Sequence, residues 1–258
     1  MTHQRKILLT VAGFDPSGGA GVLLDAAVWR GFGFRVAAVL TAVTVQNTAG
    51  VKSIHPLPAR LVRAQWRAVA EDGPIAGIKI GMAGTAINLL AIVRELERHH
   101  GIPRVVDPVF RASSGARLIE PAAAPVFLQG LRGRATLLTP NLDEASRLAG
   151  IPVRTVADME KAAGIIFERS AVPCLVKGGH LSGAAVNLLY DGRRMRRFAR
   201  TRLAGDVHGT GCYLSSSILA FLVLGRDLPE AVRLATAATH RAIRRSLPAG
   251  CGRSRFDL

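Results

Sequence analysis

The chain has 258 residues, 49% of them hydrophobic and 20% charged, which suits one folded domain with a sizeable core and excludes disorder, collagen and coiled coil. Aromatics are only 5%, so small and branched aliphatics must fill that core, as in layered α/β proteins. Lys and Arg number 34 against 18 Asp and Glu, a formal charge of +16, and no apolar run reaches the roughly 18 residues that cross a bilayer, so a cytoplasmic protein is expected rather than a membrane one.

Lys6 to Ala12 is an aliphatic run ending in the glycine-rich stretch Gly13 to Gly21, after which Val22 to Trp29 has helical character: strand, glycine loop, helix. Arg35 to Val45 predicts a second strand leading into a loop at Gln46 to Gly50, and Ala59 to Glu71 shows helical spacing. Ile75 to Ile80 is a short buried strand stopped by Gly81, Asn88 to His99 an amphipathic helix, and Arg104 to Val106 a strand before Asp107-Pro108. Ala135 to Leu138 precedes Thr139-Pro140-Asn141, Asp143 to Leu148 and Met159 to Ser170 are helical, and Val172 to Val176 is a strand stopped by Lys177-Gly178-Gly179. Val186 to Tyr190, an Asp191-Gly192 turn and an arginine-rich run predict a hairpin, and Cys212 to Leu224 and Pro229 to Leu247 predict two helices. Such alternation predicts a mainly parallel sheet covered on both faces, with the polar and glycine punctuation gathered at the carboxyl ends of its strands. No linker or repeat divides residues 1–258.

The charge invites a nucleic-acid reading, since Arg193, Arg194, Arg196, Arg197, Arg200 and Arg202 crowd one stretch and Arg241, Arg244, Arg245, Arg253 and Arg255 mark the C-terminal end. Aromatic interleaving is limited to Phe198, which argues against base stacking, and the same field suits an anionic substrate such as a nucleotide. Cys174, Cys212 and Cys251 form no CxxC and have no His at metal spacing, so neither a disulfide framework nor a zinc site is expected.

The sharpest local signal is Asp206-Val207-His208-Gly209-Thr210-Gly211-Cys212 opening an apolar helix, because glycines at a helix start free backbone N–H groups for an anion and the dipole adds positive charge. A thiol at Cys212 in that first turn is expected to have a depressed pKa; the alternative is a small buried hydrophobe after a tight turn. GxxxxGK[ST], GxGxxG and GxSxG are all absent, and Gly179-His180-Leu181-Ser182-Gly183 has its serine one place late. Lys177 ends a strand where an ammonium suits a polyphosphate, and Asp107 and Glu144, with Asn141 beside them, are hard oxygen ligands of the kind Mg²⁺ takes. Gln46 can both donate to and accept from the edge of a heterocycle, and Asp25 in an apolar helix must be either paired or facing a cleft.

Taken together, Ala12 to Gly21, Gln46-Asn47-Thr48, Lys79-Ile80-Gly81-Met82, Val106-Asp107-Pro108-Val109, Thr139 to Ala145, Val176 to His180 and His208 to Cys212 resemble the hydroxymethylpyrimidine/phosphomethylpyrimidine kinases of thiamin biosynthesis, within the ribokinase-like family. The resemblance implies a three-layer ribokinase-like α/β sandwich with a mainly parallel central sheet. It also implies ATP-dependent phosphorylation of 4-amino-5-hydroxymethyl-2-methylpyrimidine and then of its monophosphate. By matching position, Gly13, Asp25, Gln46, Met82 and Val109 would line the pyrimidine pocket, with Asp25 and Gln46 on its polar edge. Asp107 and Glu144 would hold Mg²⁺ largely through water, while Lys177 and Asn141 would serve ATP. Gly209, Thr210, Gly211 and Cys212 would form the anion hole, with Cys212 as base, and a homodimer is implied. The chain departs from the family pattern at Ala112 to Ala116, which lacks the usual lysine and aspartate, at Asp206-Val207, and at Leu23 in place of glutamine. Arg111 would be the substitute charge for the second phosphorylation. A pyridoxine or pyridoxal kinase of the same fold is the alternative, disfavoured by Cys212 where many such enzymes carry aspartate; a non-catalytic RNA-binding protein is the distant one.

Overall fold

Side chains alternate between two faces along each central strand, and both faces are apolar, so helices must cover both sides. The computed structural model describes residues 6–110, 124–179, 181, 185–203 and 205–258. In chain order these form β1 (Ile7–Phe14), α1 (Gly21–Gly31), β2 (Arg35–Asn47), β3 (Gly50–Pro56), α2 (Ala59–Asp72), β4 (Ile75–Ile80), α3 (Ala86–Leu96), β5 (Arg104–Val106), α4 (Ala124–Leu131), β6 (Leu137–Leu138), α5 (Leu142–Ala149), α6 (Val156–Ser170), β7 (Cys174–Gly178), β8 (Ala185–Tyr190), β9 (Met195–Arg200), α7 (Thr210–Val223) and α8 (Leu228–Arg244). The sheet order is β3-β2-β1-β4-β5-β6-β7-β8-β9. The six central strands β2, β1, β4, β5, β6 and β7 run parallel, while β3 at one end and β8 and β9 at the other add antiparallel pairings.

Period-2 alternation sorts the core into two layers. Leu9, Val11, Ile78, Ile80, Val106 and Leu138 face the layer under α2 to α6, whereas Leu8, Val105, Leu137 and Leu175 face α1, α7 and α8. The result is the three-layer α/β sandwich that the alternation predicts.

Four local expectations shift. The loop after Val45 is strand: β2 continues to Asn47, whose Oδ1 accepts from the Ala49 and Gly50 amides and turns the chain into β3. That second strand carries Lys52, His55 and Pro56, and its polar composition hides it. The strand placed at Val172 to Val176 lies at Cys174–Gly178, so Lys177 belongs to β7 itself rather than to the loop after it. The hairpin before the arginines turns over four residues, because Asp191 Oδ1 accepts from the Arg193 and Arg194 amides. Helix α4 is an addition to the predicted elements.

β9 is a sheet edge, where unpaired backbone groups invite aggregation unless charge guards them. Arg196 pairs with Asp191 and Arg197 with Glu160, so these two arginines serve the hairpin and its neighbouring helix.

Candidate functional site

The carboxyl ends of β1, β4, β5 and β7 meet the first turn of α7. Gly209 caps that helix at φ +82, and a Cβ there would lie 1.9 Å from the Gly19 carbonyl oxygen. Gly21, at φ +61, would place its Cβ 2.2 Å from the Gly13 carbonyl oxygen. Both positions therefore require glycine, for their left-handed backbone and for space. The interlock brings the Gly13–Gly21 loop against the start of α7, whose first amides have no partner within the helix. A Cβ on Gly211 would sit 3.0 Å from Lys177 Nζ and 3.9 Å from Asp107 Oδ2. The helix mouth thus opens beside the lysine and carboxylate expected at a polyphosphate.

Two buried ion pairs flank this mouth. Lys177 Nζ donates to Asp107 Oδ1 at 2.6 Å, and Thr139 Oγ1 donates to the same oxygen. Lys79 Nζ donates to Asp25 Oδ1 at 2.6 Å with both side chains 0% exposed. The strand pleat dictates this second pair: Ile78 and Ile80 face the α2–α6 layer, so Lys79 between them points toward α1 and α7, as does Thr10 between Leu9 and Val11. There Thr10 Oγ1 donates to Asp25 Oδ2 at 2.6 Å and Ser216 Oγ to Asp25 Oδ1 at 2.7 Å. Successive serines on α7 reach both pairs, since Ser215 Oγ donates to Asp107 Oδ2 at 3.4 Å.

This corrects the expectation for Asp25. Its carboxylate is paired beneath the site and shut off from solvent, so it does not line the polar edge of a pocket. The cost of burying a charge is met by a buried ammonium and two hydroxyls.

The expectation for the Cys212 thiol is also corrected. Burial raises its pKa, Lys79 pulls it down, the Asp107 and Asp25 carboxylates push it up, and the Gly21 amide donates to the sulfur. Helix-dipole reasoning accounts for neither the Lys79 charge nor the Gly21 amide that lower it, nor for the desolvation that outweighs them. Burial likewise depresses Lys177, but Asp107 and Glu144 hold the ammonium above its ordinary range.

Glu144 and Asn141 cap α5 reciprocally: the Asn141 amide donates to Glu144 Oε2 at 2.7 Å, and the Glu144 amide to Asn141 Oδ1 at 2.9 Å. Burial pushes the Glu144 carboxyl up to about 8; Lys177 opposes this and Asp107 adds to it. In metal-free buffer the fold therefore binds a proton that the unfolded chain releases between about pH 4.5 and pH 8. Stability must fall as pH rises through that window, by on the order of 5 kcal/mol in full. Glu144→Gln, which keeps an acceptor for the cap, is expected to flatten this slope and to be more stable than the parent at pH 8. Urea titrations at pH 5.5 and 8 with chelator present measure it, and parallel slopes in the two proteins would refute it.

On the other side, Gly13 and Met82 are brought together: a Cβ on Gly13 would lie 2.2 Å from Met82 Cε. Val109 is partly exposed two residues beyond Asp107. Gln46 lies on β2 with Nε2 3.0 Å from His208 Nε2, and His208 Nε2 is 2.9 Å from Asp15 Oδ2. Burial raises the Asp15 carboxyl, yet hydrogen bonds from His208 and Ser17 hold it below its usual range. His208 and Asp15 stood in quoted motifs without a role, and Lys79 had a readable signal as an ionic residue in an apolar strand. Arg111, Ala112 to Ala116, His180, Ser182 and Gly183 lie outside the described residues.

The sequence pattern of the phosphomethylpyrimidine kinases, matched against this chain, covers residues 15–257. The chain belongs to that family. The hydroxymethylpyrimidine/phosphomethylpyrimidine kinase of Aquifex aeolicus is 37% identical over 254 residues, spanning 98% of this chain and 100% of the relative. Among solved structures, the phosphomethylpyrimidine kinase of Clostridium difficile superposes with a TM-score of 0.80 at 35% identity, covering 93% of this chain and 100% of the other. The Staphylococcus aureus pyridoxal kinase in complex with pyridoxal superposes with a TM-score of 0.90 at 30% identity, over 98% and 93%. A pyrimidine kinase and a pyridoxal kinase thus share this architecture, and sequence identity is higher to the pyrimidine enzymes. No helix among the described residues is long and apolar enough to cross a membrane.

Proposed function

We propose that this protein transfers the terminal phosphoryl group of ATP to the hydroxymethyl oxygen of 4-amino-5-hydroxymethyl-2-methylpyrimidine, and then phosphorylates the monophosphate. The observation that carries this reading is the placement of Gly211 against Lys177 and Asp107, which sets an amide-rich helix mouth, an ammonium and a carboxylate around one point. Phosphoryl transfer needs in-line positioning and charge neutralisation more than covalent help from the protein.

In this reading the amides of Thr210, Gly211 and Cys212 receive the migrating phosphoryl group, Gly209 lets the chain enter the helix, and Lys177 neutralises phosphate oxygens. Asn141 holds the start of α5 beside Lys177, to which its backbone is bridged. The hydroxymethyl oxygen attacks phosphorus, the bond to the ADP oxygen breaks, and the hydroxyl proton passes to Cys212 Sγ in its thiolate form. Gly13, Met82 and Val109 line the ring's pocket and Gln46 addresses its polar edge.

Asp107 and Glu144 suit Mg²⁺: both carboxylates are buried, and burial together with the Asp107 charge pushes the Glu144 carboxyl up, a strain that a cation between phosphate and carboxylates would relieve. Mg²⁺ completed by water and phosphate oxygens fits such a donor pair, and when bound it neutralises charge on the phosphates. A homodimer in the cytoplasm is part of the same reading. Light scattering at twice the 27.4 kDa chain mass tests the dimer.

Because burial pushes the Cys212 thiol up, a base role requires turnover to rise with pH as the sulfur ionises. Cys212→Ala is expected to lower kcat by about 10²-fold and to abolish that alkaline rise while leaving the KM for ATP within a few-fold. Unchanged turnover would assign the chemistry to the amides alone. The substrate itself is tested by ATP consumption with the pyrimidine and with pyridoxal in parallel. The TM-score of 0.90 to a pyridoxal kinase makes pyridoxal the second reading, and faster turnover of pyridoxal would replace the first.

A further inference from the structure

Past α8 the chain doubles back and threads between three loops on the substrate side of the site. Leu247 and Arg255 exchange backbone hydrogen bonds of 2.9 Å, fixing the return. The Arg253 amide donates to the Thr48 carbonyl at 3.0 Å, in the turn that follows Gln46. The Ser254 carbonyl accepts from the His208 amide at 3.0 Å, and the Ser254 amide donates to the Asp206 carbonyl at 3.2 Å. The Arg253 guanidinium meets the Asp206 carboxylate at 2.7 Å, and Arg255 Nη1 donates to the Ser17 carbonyl in the glycine loop. Phe256 stacks on Tyr213 in the first turn of α7, with ring centroids 4.6 Å apart. Contact is close enough that a Cβ on Gly252 would lie 2.1 Å from the Thr48 carbonyl oxygen.

These bonds converge on the loops whose side chains meet at His208, namely Asp15, Gln46 and His208 itself. By contrast the strap makes no bond with Lys177, Asp107 or Glu144. Its one link to the core is Phe256, which packs against the layer of α1, α7 and α8, while Gly252 and Arg255 are exposed. Holding three loops in one arrangement before a ligand arrives removes the ordering cost from the binding step.

We propose that residues Gly252 to Phe256 are a strap that preorganises the pyrimidine side of the site, with Gly252 and Arg255 as positioning residues for capture of the heterocycle. The ligand named here rests on the pyrimidine-kinase reading. The mechanical claim, that the strap orders the loop at 15–21 and the β2–β3 hairpin end at 46–50, does not.

The test uses the full chain with Arg255→Ala and Gly252→Val, and Arg255→Lys as the conservative variant. Both disruptive changes are expected to raise the KM for the pyrimidine about tenfold with little change in the KM for ATP, and Arg255→Lys to recover part of the loss. Amide hydrogen exchange at 15–21 and 46–50 is expected to accelerate while α7, β5 and β7 keep their protection. Equal effects on both KM values, or unchanged exchange in the two loops, would overturn the proposal. If the parent protein turns over neither heterocycle, the substrate reading fails, and the exchange result still decides the strap.

Discussion

Lys79→Met is expected to cost about 3–5 kcal/mol, because it strands the Asp25 carboxylate at 0% exposure with only Thr10 and Ser216 as donors. Against a typical total of about 5–15 kcal/mol this is enough to unfold a marginal domain on mild warming. The double variant Lys79→Met with Asp25→Asn should recover most of the loss, since an amide oxygen still accepts from both hydroxyls and no charge is left unpaired. Burial depresses the Lys79 ammonium, yet Asp25 and its neighbours hold it well above its ordinary value. A group raised in this way stabilises the fold at all pH values below its unfolded pKa and is lost only in strong alkali. Urea denaturation of the three proteins at pH 7 settles the matter, and a single variant that loses less than about 1 kcal/mol would mean that water reaches the carboxylate.

Lys177→Met is expected to lower kcat by about 10³-fold and to weaken ATP use, because the ammonium sits against the helix mouth in a pocket where it is 13% exposed and its charge is little screened. The same change removes the group that opposes proton uptake by Glu144, so the fall in stability with rising pH should steepen and extend to higher pH. Lys177→Arg should restore charge but not turnover, since the planar guanidinium is too broad to repeat a 2.6 Å contact with one Asp107 oxygen beside Gly211. Steady-state kinetics with ATP varied, together with urea curves at pH 6 and 8, read both effects. Turnover within tenfold of the parent in Lys177→Met would remove the lysine from the phosphate site.

How far the primary structure reveals this architecture depends on whether the controlling interaction is local. The rim of strand ends is legible because glycines and polar residues interrupt aliphatic runs at each one, and the mouth of α7 is legible because its glycines stand together in seven residues. Asp25 is different. Its partners Lys79 and Ser216 are 54 and 191 positions away, so a charge in an apolar helix signals only that some partner exists. β3 was hidden by its polar side chains at the sheet's end, and β7 begins two residues late because Pro173, after the fully buried Val172, has no N–H to give the ladder. The Cys212 thiol was misjudged in sign because desolvation depends on what packs around it, including strand residues far away in sequence. Gly250 and Gly252 read as an ordinary tail, since nothing near them announces Thr48 as their neighbour.

The adjacent hydroxyls of Ser215 and Ser216 have a mechanical meaning beyond the charges they touch. Held on one flank by Ser216 on Asp25 and touching Asp107 on the other through Ser215, α7 is resisted in both a roll about its axis and a slide along it. In the proposed mechanism, where the start of α7 receives the phosphoryl group, that end is set when the polypeptide folds and is aimed before each cycle begins.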